Sequence, residues 1–182
     1  MPSQTEIREA VRLRRRLPRR PEVSGEEAET ARTLVDFLAG RAPDELLRGL
    51  GGHGVAAVYE SGRPGPAVLL RAELDALPIH EIGRHAHRSQ VPGKGHLCGH
   101  DGHSAILALV ASRLHRRRPV SGRVILLFQP AEETGEGAAP FLADPAFDAI
   151  RPDYAFSLHN MPGLPLGTAA LREGAVNCAS RG

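Results

Sequence analysis

Cysteine is scarce in this chain: two residues cannot build a disulfide framework. Long apolar runs are missing as well. The longest, Val124–Phe128 and Ala105–Ala111, are far too short to cross a bilayer. No basic stretch is followed by an apolar signal core. These absences predict a soluble, cytoplasmic protein with no membrane partner. Lysine is nearly absent too, with Lys94 alone against 22 arginines. Six arginines lie between Arg12 and Arg20, and three form Arg116–Arg118. A nucleic-acid interface would set aromatic or glycine-loop contacts beside such a basic face. Aromatics are only 4% of the chain, none lies in the first arginine cluster, and 21 acids nearly balance 23 bases. A solvated helix face is the better reading, and no nucleic-acid partner is expected.

What is present describes an ordinary globular domain. The length of 182 residues allows a sizeable core, and 41% apolar with 24% charged residues argues against disorder. Glycine (20) and proline (15) are abundant, which implies many turns and loops. Thr5–Leu17 carries Ile7, Ala10 and Val11 at helical spacing and is stopped by Pro18 and Pro21. Ser24 with Glu27 reads as a capping box opening a second helix, with Ala28, Ala31, Val35 and Leu38 as its stripe and Gly40 as its end. Turns are expected over Gly49–Gly54 and Ser61–Pro66, and strands over Val55–Tyr59 and Val68–Ala72. Leu77–Gly99 has no periodicity, and long structureless loops in compact domains tend to be functional. A helix follows from Asp101, with Ile106, Leu109, Val110 and Leu114 on one face, ending at Arg116–Arg118 and Pro119. Then come a strand at Val124–Phe128, a short helix at Gly137–Leu142, and strands at Tyr154–Leu158 and Thr168–Leu171. The alternation predicts an α/β fold: a mainly parallel sheet flanked by helices.

In such sheets, ligands bind beyond the carboxyl ends of the strands. Glu73-Leu74-Asp75, Gln129-Pro130-Ala131-Glu132-Glu133 and His159 fall there, and His96-Leu97-Cys98-Gly99-His100 precedes the Asp101 helix. Six of the nine histidines lie between His80 and His103. Taken alone, that segment reads as a solvated loop, Glu132-Glu133 as an exposed turn, and His159 as a strand-end residue. Together they supply thiolate, imidazole and carboxylate, the donor set of zinc and its neighbours. One of two adjacent carboxylates can bind metal while the other serves as general base. The mix of one thiol with several O and N donors suits a two-metal hydrolase rather than a closed structural zinc. Cys178 has no such neighbours and reads as a plain apolar residue.

Several stretches resemble one known family. Leu70-Arg71-Ala72-Glu73-Leu74-Asp75-Ala76-Leu77-Pro78-Ile79, Cys98-Gly99-His100-Asp101-Gly102-His103, Phe128-Gln129-Pro130-Ala131-Glu132-Glu133 and Leu158-His159-Asn160 are similar, in order, to motifs of the M20 metallopeptidase superfamily. The similarity is to its amidohydrolase branch of hippurate hydrolases, N-acyl-amino-acid deacylases and auxin-conjugate hydrolases. Pro21-Glu22-Val23-Ser24-Gly25 and Gly163-Leu164-Pro165-Leu166-Gly167 match in addition. The resemblance implies that Cys98, His100, Glu133 and His159 are ligands of two divalent ions (Zn, Mn, Co or Ni). It implies that Glu132 is the general acid/base and that Asp75 is a supporting carboxylate that orients the site. The implied reaction is hydrolysis of a small N-acyl amino acid.

Two positions differ from the family pattern. Glu73 stands where an aspartate is usual, and Pro18 where a histidine often stands. Family members are also much longer, with a lid domain that usually forms the dimer interface and a final segment bearing a last histidine ligand. Residues 1–182 are therefore expected to be the amino-terminal portion of the catalytic domain, with the lid absent and little activity alone. Two other readings stay open: a non-catalytic metal-binding remnant, and an arginine-rich nucleic-acid binder.

Overall fold

The computed structural model describes residues 1–170. Helix α1 spans Gln4–Arg16 and opens on a capping box, in which Ser3 and Glu6 satisfy each other's backbone N–H groups. A single 3₁₀ turn, Leu17–Arg19, carries the chain past Pro18. Helix α2 spans Ala28–Ala39, and its buried face is Thr30, Ala31, Leu34, Val35 and Leu38. The capping box expected at Ser24 and Glu27 is not made. Instead the Glu22 carboxylate accepts the N–H groups of Glu29 and Thr30, at 3.2 and 2.7 Å. Ser24 and Glu27 are thereby free for longer-range contacts.

Strands β1 (Glu45–Leu50), β2 (Gly54–Glu60) and β3 (Ala67–Glu73) follow, then helix α3 (His100–Arg116) and strand β4 (Arg123–Gln129). Short helices α4 (Ala138–Ala143) and α5 (Pro145–Ala149) lead to strand β5 (Tyr154–Ser157). The strands form one sheet in the order β1-β2-β4-β3-β5. The expected parallel arrangement holds for β4, β3 and β5, while β1 and β2 extend the sheet antiparallel, so the sheet as a whole is mixed. Strand β1 was not expected: turns were expected from Gly49 on, and Glu45–Arg48 carried no assignment. Half of its residues are exposed and only Leu50 is buried, so it carries no buried apolar run. Residues 168–170 are not a strand, and the remainder of that expectation, Leu171, lies outside the described residues, as does Cys178.

The central strands alternate their side chains between two cores. Val55, Ala57, Tyr59, Leu126 and Phe128 face α1, α2 and α3, where they meet Leu13, Leu34, Leu38, Leu107 and Ala111. Ala56, Val58, Ile125 and Leu127 face α4 and α5, where they meet Phe141 and Phe147. The buried face of α3 is Leu107, Ala108, Ala111 and Leu114, with Ile106 outward. Of the stripe expected from sequence, Leu114 lies on this buried face and Val110 packs partly against it, while Ile106 does not. The helical repeat carries the buried face back to His100, His103 and Ser104, all buried. The sheet packing therefore aims two histidines at the carboxyl ends of β3 and β4. No helix among the described residues is long and apolar enough to cross a membrane.

Candidate metal centre

Strands β3 and β4 run parallel with Glu73 opposite Gln129, so both chains leave the sheet at one level. Asp75 follows β3, Glu132 and Glu133 follow β4, His159 follows β5, and His100 opens α3. Between Cys98 and His100, Gly99 sits at φ +95°, a left-handed conformation that glycine adopts without cost. This turn sets the thiol and the imidazole on the same side. Cys98 Sγ lies 3.4 Å from His159 Nε2. Ligand atoms of Cys98, His100 and His159 all fall within 4.8 Å of one another, as do those of His100, Glu132 and Glu133. The tertiary structure thus brings together all five donors singled out in the sequence.

Asp75 is the keystone of this cluster. It is fully buried, and its Oδ1 lies 3.1 Å from His100 Nδ1. Its Oδ2 accepts the Ser24 hydroxyl at 2.7 Å and the Glu133 N–H at 2.9 Å. Burial works to raise its pKa, but these three hydrogen bonds and the His100 charge outweigh it and hold the carboxyl below its ordinary range. Burial likewise works to lower His100, yet the Asp75 hydrogen bond and the charges of Glu73, Asp75 and Glu133 raise it. With Nδ1 engaged by Asp75, Nε2 is left to face the cluster. Among the described residues, His100 Nε2 and Glu133 Oε1 are buried without a hydrogen-bond partner, and they stand 3.7 Å apart. Two buried polar atoms at that spacing, too far apart for a hydrogen bond, are compensated by a charged imidazole or by a cation held between them. The donor set fits a divalent ion.

Cys98 points the same way. Burial, then Glu133 and the charges of Glu132 and Glu73, push its thiol up to about 12. Such a thiol becomes a thiolate only beside a strong positive charge.

The loop bearing the two glutamates is held from below. Ala131 adopts φ +49°, an uncommon conformation for a residue with a side chain. Its N–H donates to the fully buried Glu27 carboxylate at 2.7 Å, which fixes the turn that presents Glu132 and Glu133. Gly137 closes the same turn, and a Cβ there would sit 1.7 Å from the Pro130 carbonyl oxygen. Gly137→Ala is therefore expected to cost about 1–3 kcal/mol by overpacking. It should also shift both carboxylates, and denaturant unfolding with a metal titration checks this.

Sequence reasoning missed Ser24, Glu27 and His103 as parts of this site. The first two looked like helix-cap residues, and His103 stands in the sequence only as the last member of the Cys98–His103 motif, without a role of its own. Glu73, left without a role by its departure from aspartate, is buried in the centre. It meets Arg71 at 2.7 Å and His103 at 2.8 Å. Burial works to raise its pKa, but the His103 hydrogen bond and the Arg71 charge hold it down.

The model of peptidase family M20/M25/M40 matches residues 69–178. An N-acetyl-L-cysteine deacetylase of Bacillus subtilis is 37% identical over 177 residues, which is 94% of this chain and 41% of that protein. IAA-amino acid hydrolase ILR1-like 2 of Arabidopsis thaliana is 37% identical over 170 residues, covering 90% of this chain and 37% of its own. Among solved structures, the YXEP protein of Bacillus subtilis, described as a dinuclear metal binding peptidase from the M20 family, superposes with a TM-score of 0.87. It is 35% identical, and the match covers 94% of this chain and 48% of that one. The chain thus spans less than half the length of these relatives.

Proposed function

The chain belongs to peptidase family M20/M25/M40, and from that premise we propose that it carries most of the metal site of an amide hydrolase acting on N-acyl amino acids. The observation that carries the reading is the facing pair of orphaned buried atoms, His100 Nε2 and Glu133 Oε1. Cys98, His100, Glu133 and His159 would hold two divalent ions, and such ligands accept Zn, Mn, Co or Ni. Bound there, the ions supply polarisation of the amide carbonyl and acidification of a neighbouring water.

This chain's own residues do the rest. Asp75 holds His100 with Nε2 toward the cluster. Glu132 is half-exposed, with Oε2 3.6 Å from His100 Nε2, so it faces both the cluster and solvent. Its carboxylate takes the water proton and returns it to the leaving amine. The named relatives support the substrate class, since the deacetylase and the plant hydrolase are both named for amides on an amino acid. We read residues 1–182 as the amino-terminal portion of the M20 catalytic domain and assign the amide hydrolysis to the whole protein.

The test is divalent-ion binding by the purified chain, together with release of free amino acid from hippurate or N-acetyl amino acids by the whole protein. A chain that takes up no Zn, Mn, Co or Ni overturns the reading. Binding also carries a pH signature. The Cys98 thiol holds its proton at neutral pH, so taking up an ion must expel it. About one proton per chain should leave from Cys98, and affinity should rise about tenfold per pH unit on its account. Calorimetric titration in two buffers of different ionisation enthalpy measures this, and Cys98→Ser should remove that proton from the count.

A further inference from the structure

His159 needs an anchor that its own segment does not provide. It follows β5, the edge strand of the sheet, whose residues are all exposed, and it is itself exposed. Its neighbour Asn160, however, is tied to the core. The Asn160 N–H lies 3.1 Å from His103 Nε2, and the Asn160 side-chain oxygen Oδ1 lies 2.6 Å from the same nitrogen. The His159 imidazole bonds back to the Asn160 carbonyl at 2.8 Å, and its ring meets the His103 ring edge-on with centroids 4.8 Å apart.

His103 is in turn held rigidly. It is buried on α3, one turn after His100, with Nδ1 2.8 Å from Glu73 Oε2. Glu73 is buried at the end of β3, and its other oxygen meets Arg71, which Gln129 on β4 also binds at 2.9 Å. With Nδ1–H donated to the Glu73 carboxylate, the Nε2 lone pair accepts the Asn160 N–H, and the Asn160 side-chain amide must then turn its NH2 rather than its oxygen to that nitrogen. On the far side, Asn160 lies so close to Gly99 that a Cβ at that position would be 2.3 Å from its Oδ1. Asn160 is thus clamped between the core and the turn that carries Cys98 and His100.

We propose that the Glu73–His103 pair is a positioning device that locks Asn160 and thereby aims His159 at Cys98. This inference rests on the metal reading of the site and adds to it two residues outside the ligand set named above. Groups that orient metal ligands typically contribute 10–100-fold in affinity. His103→Ala should therefore weaken divalent-ion binding roughly 10–100-fold, with the fold retained. The conservative variants separate the roles of the ring. A glutamine side chain places an acceptor near the position of Nε2, whereas asparagine reaches only that of Nδ1. His103→Gln should recover most of the affinity and His103→Asn should not.

The experiment has two readouts on the 182-residue chain, with circular dichroism as the folding control. The first is hydrogen exchange at the Asn160 amide without metal, expected to be slow in the wild type and fast in His103→Ala. The second is a Co(II) titration followed by the thiolate-to-cobalt absorption of Cys98. An Asn160 amide that exchanges at an unprotected rate in the wild type overturns the proposal. So does wild-type Co(II) affinity in His103→Ala, or equal rescue by asparagine and glutamine. A wild type that binds no Co(II), while its Asn160 amide stays protected in a His103-dependent way, overturns the metal reading and supports the anchor.

Discussion

Replacing Glu132 by glutamine is expected to leave divalent-ion binding intact and to slow amide hydrolysis by the whole protein about 10²–10⁴-fold, the usual worth of a positioned acid/base. The separation of the two effects follows from where the side chain sits. Glu132 faces the cluster at Oε2, 3.6 Å from His100 Nε2, and its other oxygen is 3.8 Å from Arg71. Neither contact is a tight hydrogen bond. Glu133 beside it is more buried, donates its N–H to Asp75 and points an orphaned oxygen into the cluster. Glutamine preserves the size of Glu132 and removes only its ability to hold a proton. Metal content and kcat on an N-acetyl amino acid, measured on the same preparation, decide the matter. A kcat within a few-fold of wild type would move the general base elsewhere, and loss of metal would make Glu132 a ligand.

Asp75→Ala is expected to be the most damaging single change at the site. It removes one buried acceptor that serves three donors: the His100 ring, the Ser24 hydroxyl and the Glu133 N–H. Breaking a buried charged pair from one side costs about 3–5 kcal/mol, because the partner is left uncompensated. Metal binding should fall with it, since His100 keeps only the residue-75 backbone carbonyl at 2.9 Å to hold Nδ1 and loses the carboxylate charge, and Glu133 loses the contact that fixes its backbone.

The pH dependence of stability carries the same signature. The Asp75 pKa is lowered in the fold, so its contribution is full above the ordinary value of 3.8 and is lost as pH falls through the lower folded value. The His100 pKa is raised, so its contribution is full below the ordinary 6.5 and fades as pH rises through the higher folded value. The pair is therefore strongest between these limits, and the wild type should lose stability on both sides of that window. In the Asp75→Ala chain the acid-side loss should be shallower. Denaturant unfolding at a series of pH values measures both slopes. An unchanged acid limb would remove Asp75 as the cause.

Local pattern carried a large part of this molecule. The apolar runs at Val68–Ala72 and Val124–Phe128 are strands because a strand buried on both faces needs no alternation, and both lie within β3 and β4. Pro18 and Pro119 bound helices because they cannot continue them. The donors Cys98, His100, Glu132, Glu133 and His159 were legible as types, since few chemistries need thiol, imidazole and paired carboxylates at the ends of parallel strands. The edge strand β1 was not legible, because a half-exposed strand beside glycines carries neither a buried run nor a clean alternation.

What periodicity and spacing could not supply were the partners of polar residues. Ser24 and Glu27 have the spacing of a capping box, yet the folded chain takes Ser24 to Asp75, 51 residues away, and Glu27 to Ala131, 104 residues away. Glu73 was an unexplained departure until α3 packed on the sheet and set His103 against it, 30 residues on. A helix cap satisfies exposed donors that water can also serve, whereas a carboxylate buried beneath the donor cluster has no other recourse. Long-range burial therefore overrides the local motif, and only the packed sheet and helices set which acid meets which donor. The scarcity of cysteine looks different in that light. One thiol is enough, provided that the fold places Cys98 3.4 Å from His159 at the shared edge of three parallel strands.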